Sequence, residues 1–314
     1  AEGTKFYKRH GYYYLSIPEG GVGEGWQTIL RSKNIYGPYE KKVVLEQGNT
    51  TVNGPHQGAL VDTPEGEWWF FHFQLTEPLG RVVHLQPVCW MENWPVIGVD
   101  MDMNGIGEPV KVWTKPGVSK SVLVSHPQPT DDFNSYTIGL QWQFNHNPVN
   151  THCSLNERRG WLALKALKAA TLRESRNMLT QKCMGYLSTA TVLLDFSALA
   201  DGQRGGLFCT GSLYNGIGIS REEGKNYLYL EKNGDVQQVK MVSGKKIYLR
   251  VMLDAKKNRC QLFYSFDNCN FILCGDAYSL KFGDWKGARV GLYSYNTLGI
   301  GGKCYFDWFN YDFN

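Results

Sequence analysis

Short runs of aromatic and β-branched residues, separated by tight-turn residues, are the feature that most limits what this chain can fold into. Glu67–Leu75 and Ile247–Leu253 are two such runs. Turn pairs such as Asn104-Gly105 and Asn233-Gly234 lie between runs of this kind, and the sequence contains 35 glycines. Runs of this length and composition predict strands, and the turn pairs predict hairpins. The sequence therefore predicts an all-β protein.

The pattern changes along the chain in a way that predicts two domains, which is also what 314 residues favour. Residues 1–118 contain short strands joined by aromatic-rich hairpins, including one that turns near His10-Gly11, and this arrangement fits the blades of a propeller. Residues 119–130 are polar and punctuated by proline, which predicts a linker. Residues 131–314 carry a denser strand pattern that suits a two-sheet sandwich.

Two segments of the second domain need a specific prediction. Leu162–Arg176 has the composition of an amphipathic helix. We nevertheless expect a strand followed by a loop, because tertiary context in a sandwich overrides weak helix propensity. Tyr136–Phe144 alternates in the manner of a strand, and we expect one there.

Charge and hydropathy exclude several classes of function. The net charge of +4 is mild and no block of like charge occurs, so no nucleic-acid partner and no anionic membrane surface is expected. No apolar run approaches the ~20 residues that span a bilayer. The eight cysteines form no C-x-x-C pair and show no zinc spacing, so they establish neither a metal site nor a disulfide framework.

An acidic segment, Asp100–Gly105, begins like a calcium-binding loop. The twelfth position, where such a loop needs a bidentate glutamate, is Lys111, while Glu108 falls at the ninth. We therefore expect an acidic hairpin turn. A structural Ca²⁺ held in the sandwich by Asp132 or Asp307 is an expectation from the type of fold, with no ligand spacing behind it.

One strand has the residue types of a sugar site. Leu79–Trp90 carries a guanidinium (Arg81), an imidazole (His84) and an amide (Gln86), and it ends at Trp90 with Trp94 shortly after it. Aromatic faces pack against sugar C–H surfaces, and forked donors bind ring hydroxyls. Strand alternation places His84 and Gln86 on one face and Leu85 on the other. A strand with an incidental arginine and histidine is the alternative interpretation.

Short motifs along nearly the whole chain resemble those of glycoside hydrolase family 43. The order and spacing of these motifs carry the resemblance, since each alone is weak. In the first domain they are Glu2-Gly3, the Gly11–Leu15 hairpin strand, Glu19–Gly23, Gly37–Glu40, Gly54–Gly58 and Gly80–Pro87. In the second domain they are Asp132-Phe133, Ser154–Arg158, Arg176–Lys182, Phe263–Asp267 and Phe306–Phe309.

The resemblance implies a fold and an activity. The fold is part of a five-bladed β-propeller followed by a concanavalin-like β-sandwich, or jelly roll. The activity is inverting hydrolysis of xylan or arabinoxylan fragments, as in the β-xylosidases and α-L-arabinofuranosidases of the family. A secreted, periplasmic or cell-surface location follows from such a substrate, and no cofactor is required. The alternative is a non-catalytic carbohydrate-binding sandwich that carries an inactive propeller remnant.

The resemblance also implies roles for individual residues. Glu2 matches the general acid, and Arg81 matches an arginine that holds the innermost sugar, although a structural ion pair is the alternative. His56 matches a histidine near the propeller axis that holds a water or a metal ion, with a purely structural role as a near-equal alternative. His84 and Gln86 are expected to contact substrate. Trp26 is a candidate stacking platform, as is Trp90, and either could instead pack between blades.

The family's catalytic base and orienting aspartate both precede the general acid in sequence. Because the acid here is Glu2, we expect both to be supplied by a complementary N-terminal propeller segment that is either encoded upstream or present as a second chain. We also expect these 314 residues alone to be inactive.

Overall fold

The computed structural model describes residues 2–117, 128–280, 286–299 and 301–314. Strands dominate these residues, as predicted, and helix is limited there to two short 3-10 turns, Asn150–His152 and Leu172–Glu174. The chain divides into two compact units, residues 1–76 with 80–124 and residues 77–79 with 125–314. Most of the predicted linker, residues 119–130, lies outside the described residues. Neither helix of the described residues has the length or apolar character needed to cross a membrane.

Unit 1 contains two four-stranded antiparallel sheets in which neighbouring strands are consecutive in sequence. This is the strand order of propeller blades. The strands of the first sheet are β1 (Lys5–Arg9), β2 (Tyr12–Glu19), β3 (Trp26–Ser32) and β4 (Glu40–Leu45). The strands of the second sheet are β5 (His56–Asp62), β6 (Trp68–Thr76), β7 (Gly80–Met91) and β8 (Trp94–Ile97). The hairpin predicted at His10-Gly11 is confirmed, since both residues have positive φ between β1 and β2.

Aromatic side chains fill the space between the two sheets of unit 1. Tyr14 and Phe70 are fully buried in one apolar cluster. Trp90 packs edge-on to Tyr14 with ring centres 5.4 Å apart, and the Arg9 guanidinium lies 4.1 Å from a Trp90 ring centre. Trp90 therefore belongs to the packing of unit 1, which was one of its two predicted roles.

Unit 2 contains two eight-stranded sheets. In sheet order, with β22 also paired to β20, the first consists of β10 (Cys153–Ser154), β11 (Leu162–Lys165), β24 (Lys303–Phe313), β14 (Leu187–Asp195), β19 (Lys246–Asp254), β20 (Arg259–Ser265) and β21 (Ile272–Leu273), and β22 is Tyr278–Ser279. The second consists of β18 (Asp235–Met241), β17 (Lys225–Lys232), β16 (Tyr214–Glu222), β15 (Gln203–Thr210), β23 (Arg289–Asn296), β13 (Leu179–Lys182) and β9 (Gln143–Phe144), with β12 (Leu167–Lys168) paired to β23.

The two sheets of unit 2 pack face to face, with β15 against β19 and β16 against β20. Alternate residues of their strands point inward and are almost completely buried, as a sandwich requires. Those residues include Val192, Leu249, Leu262, Leu207, Ile217 and Leu292. The predicted sandwich is confirmed.

A buried carboxylate ties a covering segment to the outer face of the second sheet. Glu231 has no exposed surface, and it accepts a hydrogen bond from the Leu172 backbone N–H at 2.7 Å and another from the Tyr295 hydroxyl. The short helix that begins at Leu172 is thereby held over the tyrosines of this face, of which Tyr229 and Tyr293 share a 2.6 Å hydroxyl contact.

We expect Glu231→Ala to destabilise unit 2 by about 3 kcal/mol, because it leaves a buried N–H and a buried hydroxyl without their acceptor. Glu231→Gln, which keeps one acceptor oxygen, should cost less. Urea unfolding monitored by circular dichroism measures both variants. Equal stability of the alanine variant and the wild type would contradict the importance of this carboxylate.

The segment Leu162–Arg176 forms strands β11 and β12 and then a loop with one 3-10 turn. The prediction of a strand and loop in place of a helix is therefore confirmed. Leu162 and Leu164 are fully buried, so burial of alternate leucines outweighs the helix propensity of the composition.

The predicted strand over Tyr136–Phe144 is wrong except at its last two residues, which form β9. The Asp131 carboxylate accepts hydrogen bonds from the Gln141 amide and the Trp142 indole, at 3.1 and 2.8 Å. A turn from Gly139 to Trp142 accompanies these bonds. Side-chain bonds to one carboxylate thus replace the strand ladder that the alternation predicted.

The acidic segment forms the predicted turn. Asp100 accepts hydrogen bonds from the Asn104 and Gly105 backbone N–H groups, and paired hydrogen bonds between Val99 and Glu108 close the loop. Asp132, one of the two residues suggested for Ca²⁺, accepts hydrogen bonds from the Asn134 backbone and side chain. Across the described parts of the chain, no three His, Cys, Asp or Glu side chains are grouped so as to hold a metal ion.

Candidate active site

His56 lies at the centre of the candidate site, at the first position of β5, and only 3% of its surface is exposed. Its Nδ1 is 2.8 Å from the Gly54 carbonyl oxygen. Since a carbonyl only accepts, Nδ1 carries the proton in this contact and Nε2 of the neutral ring is an acceptor. Burial lowers the pKa of His56, and the positive charge of Arg81 lowers it further. The imidazole is therefore neutral near pH 7.

Glu2 and Arg81 both lie close enough to His56 for their charges to act on it, in opposite directions. The exposed Glu2 carboxylate accepts a hydrogen bond of 3.4 Å from the Gln57 amide, next to His56. The Arg81 guanidinium lies 4.6 Å from the Phe73 ring centre, and that ring is 5.6 Å from His56. The structure therefore brings together the predicted acid, the predicted sugar-binding arginine and the predicted axial histidine.

Trp26, at the first position of β3, is 36% exposed beside this group. The glycine-rich loop before it lies against both aromatic rings. A Cβ on Gly20 would come within 2.5 Å of the Trp26 ring, and one on Gly25 within 2.8 Å of the His56 ring. Glycine is thus required at both positions, since a larger residue at Gly20 would meet the Trp26 ring and one at Gly25 would also meet the Gly21 and Glu19 carbonyl oxygens.

Glu19 holds the base of the same loop, and sequence reasoning did not identify it as a site residue. Its carboxylate accepts a hydrogen bond from the Thr28 hydroxyl and another from Lys41 Nζ at 2.9 Å. These two bonds, with a weaker one from the Trp26 indole, lower the pKa of Glu19. Glu19 also lies opposite Trp26 in the register of β2 and β3, so its bonds to Thr28 of β3 and Lys41 of β4 hold the strand end that carries the Trp26 ring.

His84 and Gln86 face a different set of partners from Arg81. His84 stacks on His72 with ring centres 5.3 Å apart, and its Nε2 is 3.1 Å from the Gln74 side-chain oxygen. Gln86 lies 3.2 Å from His72 through its side-chain nitrogen. The predicted alternation of His84 and Gln86 with Leu85 is therefore confirmed, because His72 contacts both.

Gln86 is enclosed within unit 1, and its predicted contact with substrate stays a prediction. Gln86 has no exposed surface, and its side-chain oxygen accepts a 2.7 Å hydrogen bond from the Val110 backbone. Side chains alternate along β7, so Arg81 points to one face of the sheet and His84 and Gln86 point to the other. Gln86 and the half-buried His84 therefore lie together on the face of β7 opposite to Arg81.

His72 is the residue of this network that sequence reasoning missed. It stands opposite His84 in the register of β6 and β7. Burial lowers its pKa from 6.5 to about 4, with smaller contributions from His84 and His56. The pattern that could have revealed it is the alternation of His72 with Gln74 in the Glu67–Leu75 run, on the strand paired with β7.

His72 should make the protein sensitive to acid. Between pH 6.5 and 4 the unfolded chain binds a proton at this residue and the folded chain does not, so stability falls by about 1.4 kcal/mol for each pH unit lost. Urea unfolding at pH 7 and pH 5 should show a smaller loss for His72→Gln than for the wild type. His10→Gln, at an exposed turn, is the matched control. Identical acid sensitivity in all three proteins would contradict this role.

Each of the two units matches the model of a known protein family. Residues 130–312 match the model of the β-xylosidase C-terminal concanavalin A-like domain, and residues 1–95 match the model of glycosyl hydrolases family 43. The chain belongs to glycoside hydrolase family 43. The predicted family and fold class are confirmed, and the second unit is the concanavalin-like domain found after the catalytic domain of β-xylosidases.

Two curated relatives match most of this chain or all of it. A Xylanibacter ruminicola protein with a β-xylosidase assignment is 52% identical over 291 residues, which cover 93% of this chain and 54% of the relative. A Formosa agariphila β-xylosidase is 37% identical and covers 100% of this chain, which corresponds to 60% of that protein. This family 43 chain thus spans a little over half the length of these relatives.

Solved structures show the same fold. A bifunctional GH43-CE protein of Bacteroides eggerthii matches with a TM-score of 0.83 and 29% identity, over 100% of this chain and 41% of that one. The GH43 protein BlXynB of Bacillus licheniformis matches with a TM-score of 0.84 and 26% identity, over 98% of this chain and 64% of that one. The family 43 architecture therefore extends through both units.

Proposed function

We propose that this chain is part of an inverting glycosidase that acts on xylan or arabinoxylan oligosaccharides, as an exo-acting β-xylosidase or α-L-arabinofuranosidase. The observation that supports the proposal is that Glu2, which contacts Gln57, and Arg81, which lies over the Phe73 ring, both lie near enough to His56 for their charges to act on it. Cleavage of a glycosidic bond requires a proton donor. Binding of adjacent sugar hydroxyls is favoured by the paired N–H groups of a guanidinium.

Each residue has a defined chemical task in this proposal. Glu2 donates a proton to the leaving glycosidic oxygen, which is what lets a poor alkoxide leaving group depart as an alcohol. Arg81 binds adjacent hydroxyls of the sugar through paired N–H groups. The Nε2 lone pair of His56 accepts a hydrogen bond from a hydroxyl or an ordered water, and the Trp26 ring packs against sugar C–H groups.

The catalytic base and the orienting aspartate are proposed to come from propeller sequence outside these 314 residues. Unit 1 has two four-stranded sheets in its described part, whereas the family's propeller has five blades. Inversion needs a second carboxylate about 6.5–9.5 Å from the acid, with a water between them. Hydrolysis adds one water across the cleaved glycosidic bond and changes no oxidation state, so no redox or organic cofactor is proposed. A secreted or cell-surface location follows from a polymeric substrate.

Hydrolysis of nitrophenyl β-D-xyloside and nitrophenyl α-L-arabinofuranoside tests the proposal. The full gene product should hydrolyse at least one of them, and proton NMR of the first product should show the inverted anomer. The 314-residue chain alone should hydrolyse neither. Retention of configuration would overturn the mechanism. Oligosaccharide binding by the full product without any turnover would favour the alternative of a carbohydrate-binding protein.

Glu19→Ala tests whether the Trp26 ring is held for substrate. We expect KM to rise about tenfold with a smaller change in kcat, because a lost anchoring bond of about 1.4 kcal/mol weakens sugar packing. Glu19→Gln, which keeps an acceptor for Thr28, should recover much of the affinity. A fall in kcat at unchanged KM would contradict a positioning role for Glu19.

A further inference from the structure

A cavity of about 410 Å³ lies on unit 2, far in sequence from Glu2 and Arg81. It opens on the first sheet of the sandwich, at one end of β14, β19, β20 and β24. Its walls combine exposed apolar side chains, of which Met252 is 43% and Phe313 41% exposed, with polar groups such as Gln261 and Asp312. The volume is within the range of clefts that bind small molecules, and most of the lining residues are polar or charged.

The side chains of the cavity stand in one cross-strand row. Asp312, Thr189, Met252 and Gln261 are partners in the register of four neighbouring strands. Residues opposite one another on adjacent strands point to the same face. The intervening residues, such as Val251, are buried between the sheets. The row therefore belongs to the outer face of the sandwich.

The same face continues beyond the cavity along β19. Two residues from Met252, Arg250 is held by a 2.9 Å hydrogen bond from its Nε to the Thr191 hydroxyl, and its guanidinium lies 3.5 Å from the Phe271 ring centre. Two residues further, Tyr248 pairs with Trp308 at 6.0 Å between ring centres. From Met252 to Tyr248 the face extends about 13 Å, which is longer than one sugar ring.

The charges of the cavity indicate an uncharged ligand. Asp254 and Asp312 are balanced by Lys257 and Arg259, and the Lys257 ammonium is 3.7 Å from the Asp254 carboxylate. A cavity lined by equal numbers of positive and negative side chains attracts neither an anion nor a cation overall. A neutral polyhydroxylated molecule can bind both the hydrogen-bond donors and the acceptors of such a cavity. Met252 and Phe313 offer apolar contact for C–H groups.

We propose that this outer face binds a neutral xylan-type chain without cleaving it. The cavity holds one sugar of that chain, and the rows that contain Arg250 and Tyr248 hold the neighbouring sugars. The choice of xylan rests on the proposed function. The binding face lies on unit 2 and uses residues distinct from those of the candidate active site, so it would keep the enzyme on its polymer between cleavage events.

Native gel electrophoresis of the 314-residue chain, with and without soluble arabinoxylan in the gel, tests the proposal. The wild type should be retarded by the polysaccharide. A Met252→Ala/Gln261→Ala double variant should lose about tenfold in affinity, since one lost hydrogen bond of about 1.4 kcal/mol corresponds to that factor. Met241→Ala, at a 65% exposed position on the other sheet, is the matched control and should behave as wild type.

Arg81→Ala separates this site from the active site. The inference expects Arg81→Ala to remain retarded. Loss of retardation in Arg81→Ala together with full retardation of the double variant would overturn it, as would a wild type that is not retarded. Retardation of the wild type by dextran as strongly as by arabinoxylan would overturn the choice of ligand. Thermal unfolding of each variant checks that the fold is intact.

The result is distinguishable from failure of the glycosidase proposal. If the full gene product hydrolyses neither nitrophenyl glycoside while the chain is still retarded by arabinoxylan, the proposed activity fails and the binding face stands. If hydrolysis occurs and the wild-type chain is not retarded, the binding face fails alone. A second copy of this chain is the other molecule that could cover the face, and sedimentation of the chain without polysaccharide tests for it. A wild-type dimer that the double variant breaks would overturn the proposal.

Discussion

Replacing Glu2 by glutamine will reduce kcat on nitrophenyl xyloside or arabinofuranoside by about 10²–10⁴-fold in the full gene product, the range that general acid catalysis contributes. The amide keeps the size of the side chain and has no acidic proton to transfer to the leaving oxygen. The Gln57 amide, which contacts Glu2 at 3.4 Å, remains able to hold the replacement. KM should therefore change much less than kcat.

The leaving group supplies the decisive control for Glu2. A dinitrophenolate departs without protonation, so Glu2→Gln should lose far less activity on a dinitrophenyl glycoside than on an alkyl glycoside or xylobiose. Glu24→Gln, in an exposed part of the glycine-rich loop, serves as a matched surface variant. An equal loss on every leaving group would assign Glu2 to a different task and would remove the acid from the proposed mechanism.

Replacing Arg81 by alanine should lower kcat/KM by about a hundredfold or more, because hydrogen bonds to a charged group are worth about 1.5–3 kcal/mol each. Arg81→Lys should recover little, since one ammonium cannot reproduce the paired geometry of a guanidinium. Arg81 also lowers the pKa of His56. Its removal should therefore raise the His56 pKa, and the acid limb of the pH–rate profile should move to higher pH.

Arg221→Ala is the matched control for Arg81, because this arginine pairs with Asp201 at 3.4 Å on the sandwich. It should leave kcat/KM unchanged. Unchanged kcat/KM in Arg81→Ala would contradict the sugar-binding role. A loss of activity accompanied by a lower unfolding temperature in Arg81→Ala alone would instead support the structural ion-pair interpretation of this residue.

Local sequence chemistry predicted most of the strands and hairpins. The turn at His10-Gly11 and the strand at Leu162–Lys165 required only turn residues and alternating burial, which operate over a few neighbours. Tyr136–Phe144 failed because its conformation depends on the Asp131 carboxylate, which binds Gln141 and Trp142. No alternation pattern carries information about such a bond.

The candidate site was also predicted only in part from the sequence. The motifs around Glu2, His56 and Arg81 identified residues that the structure brings together. They did not reveal Glu19, whose importance comes from partners on two neighbouring strands, or His72, which is defined by its place opposite His84.

By itself, the sequence determined the strand-rich character of the chain, its family and the residue types available for glycoside chemistry, because propensity, turn chemistry and motif spacing all act along the chain. Only the tertiary structure decided which side chains share a face. It separated Arg81 from Gln86, made His72 a buried neutral base and assembled the Asp312–Gln261 row from four strands. The physical reason is that burial and cross-strand register depend on partners distant in sequence, which hydrophobic packing selects only once the sheets have formed.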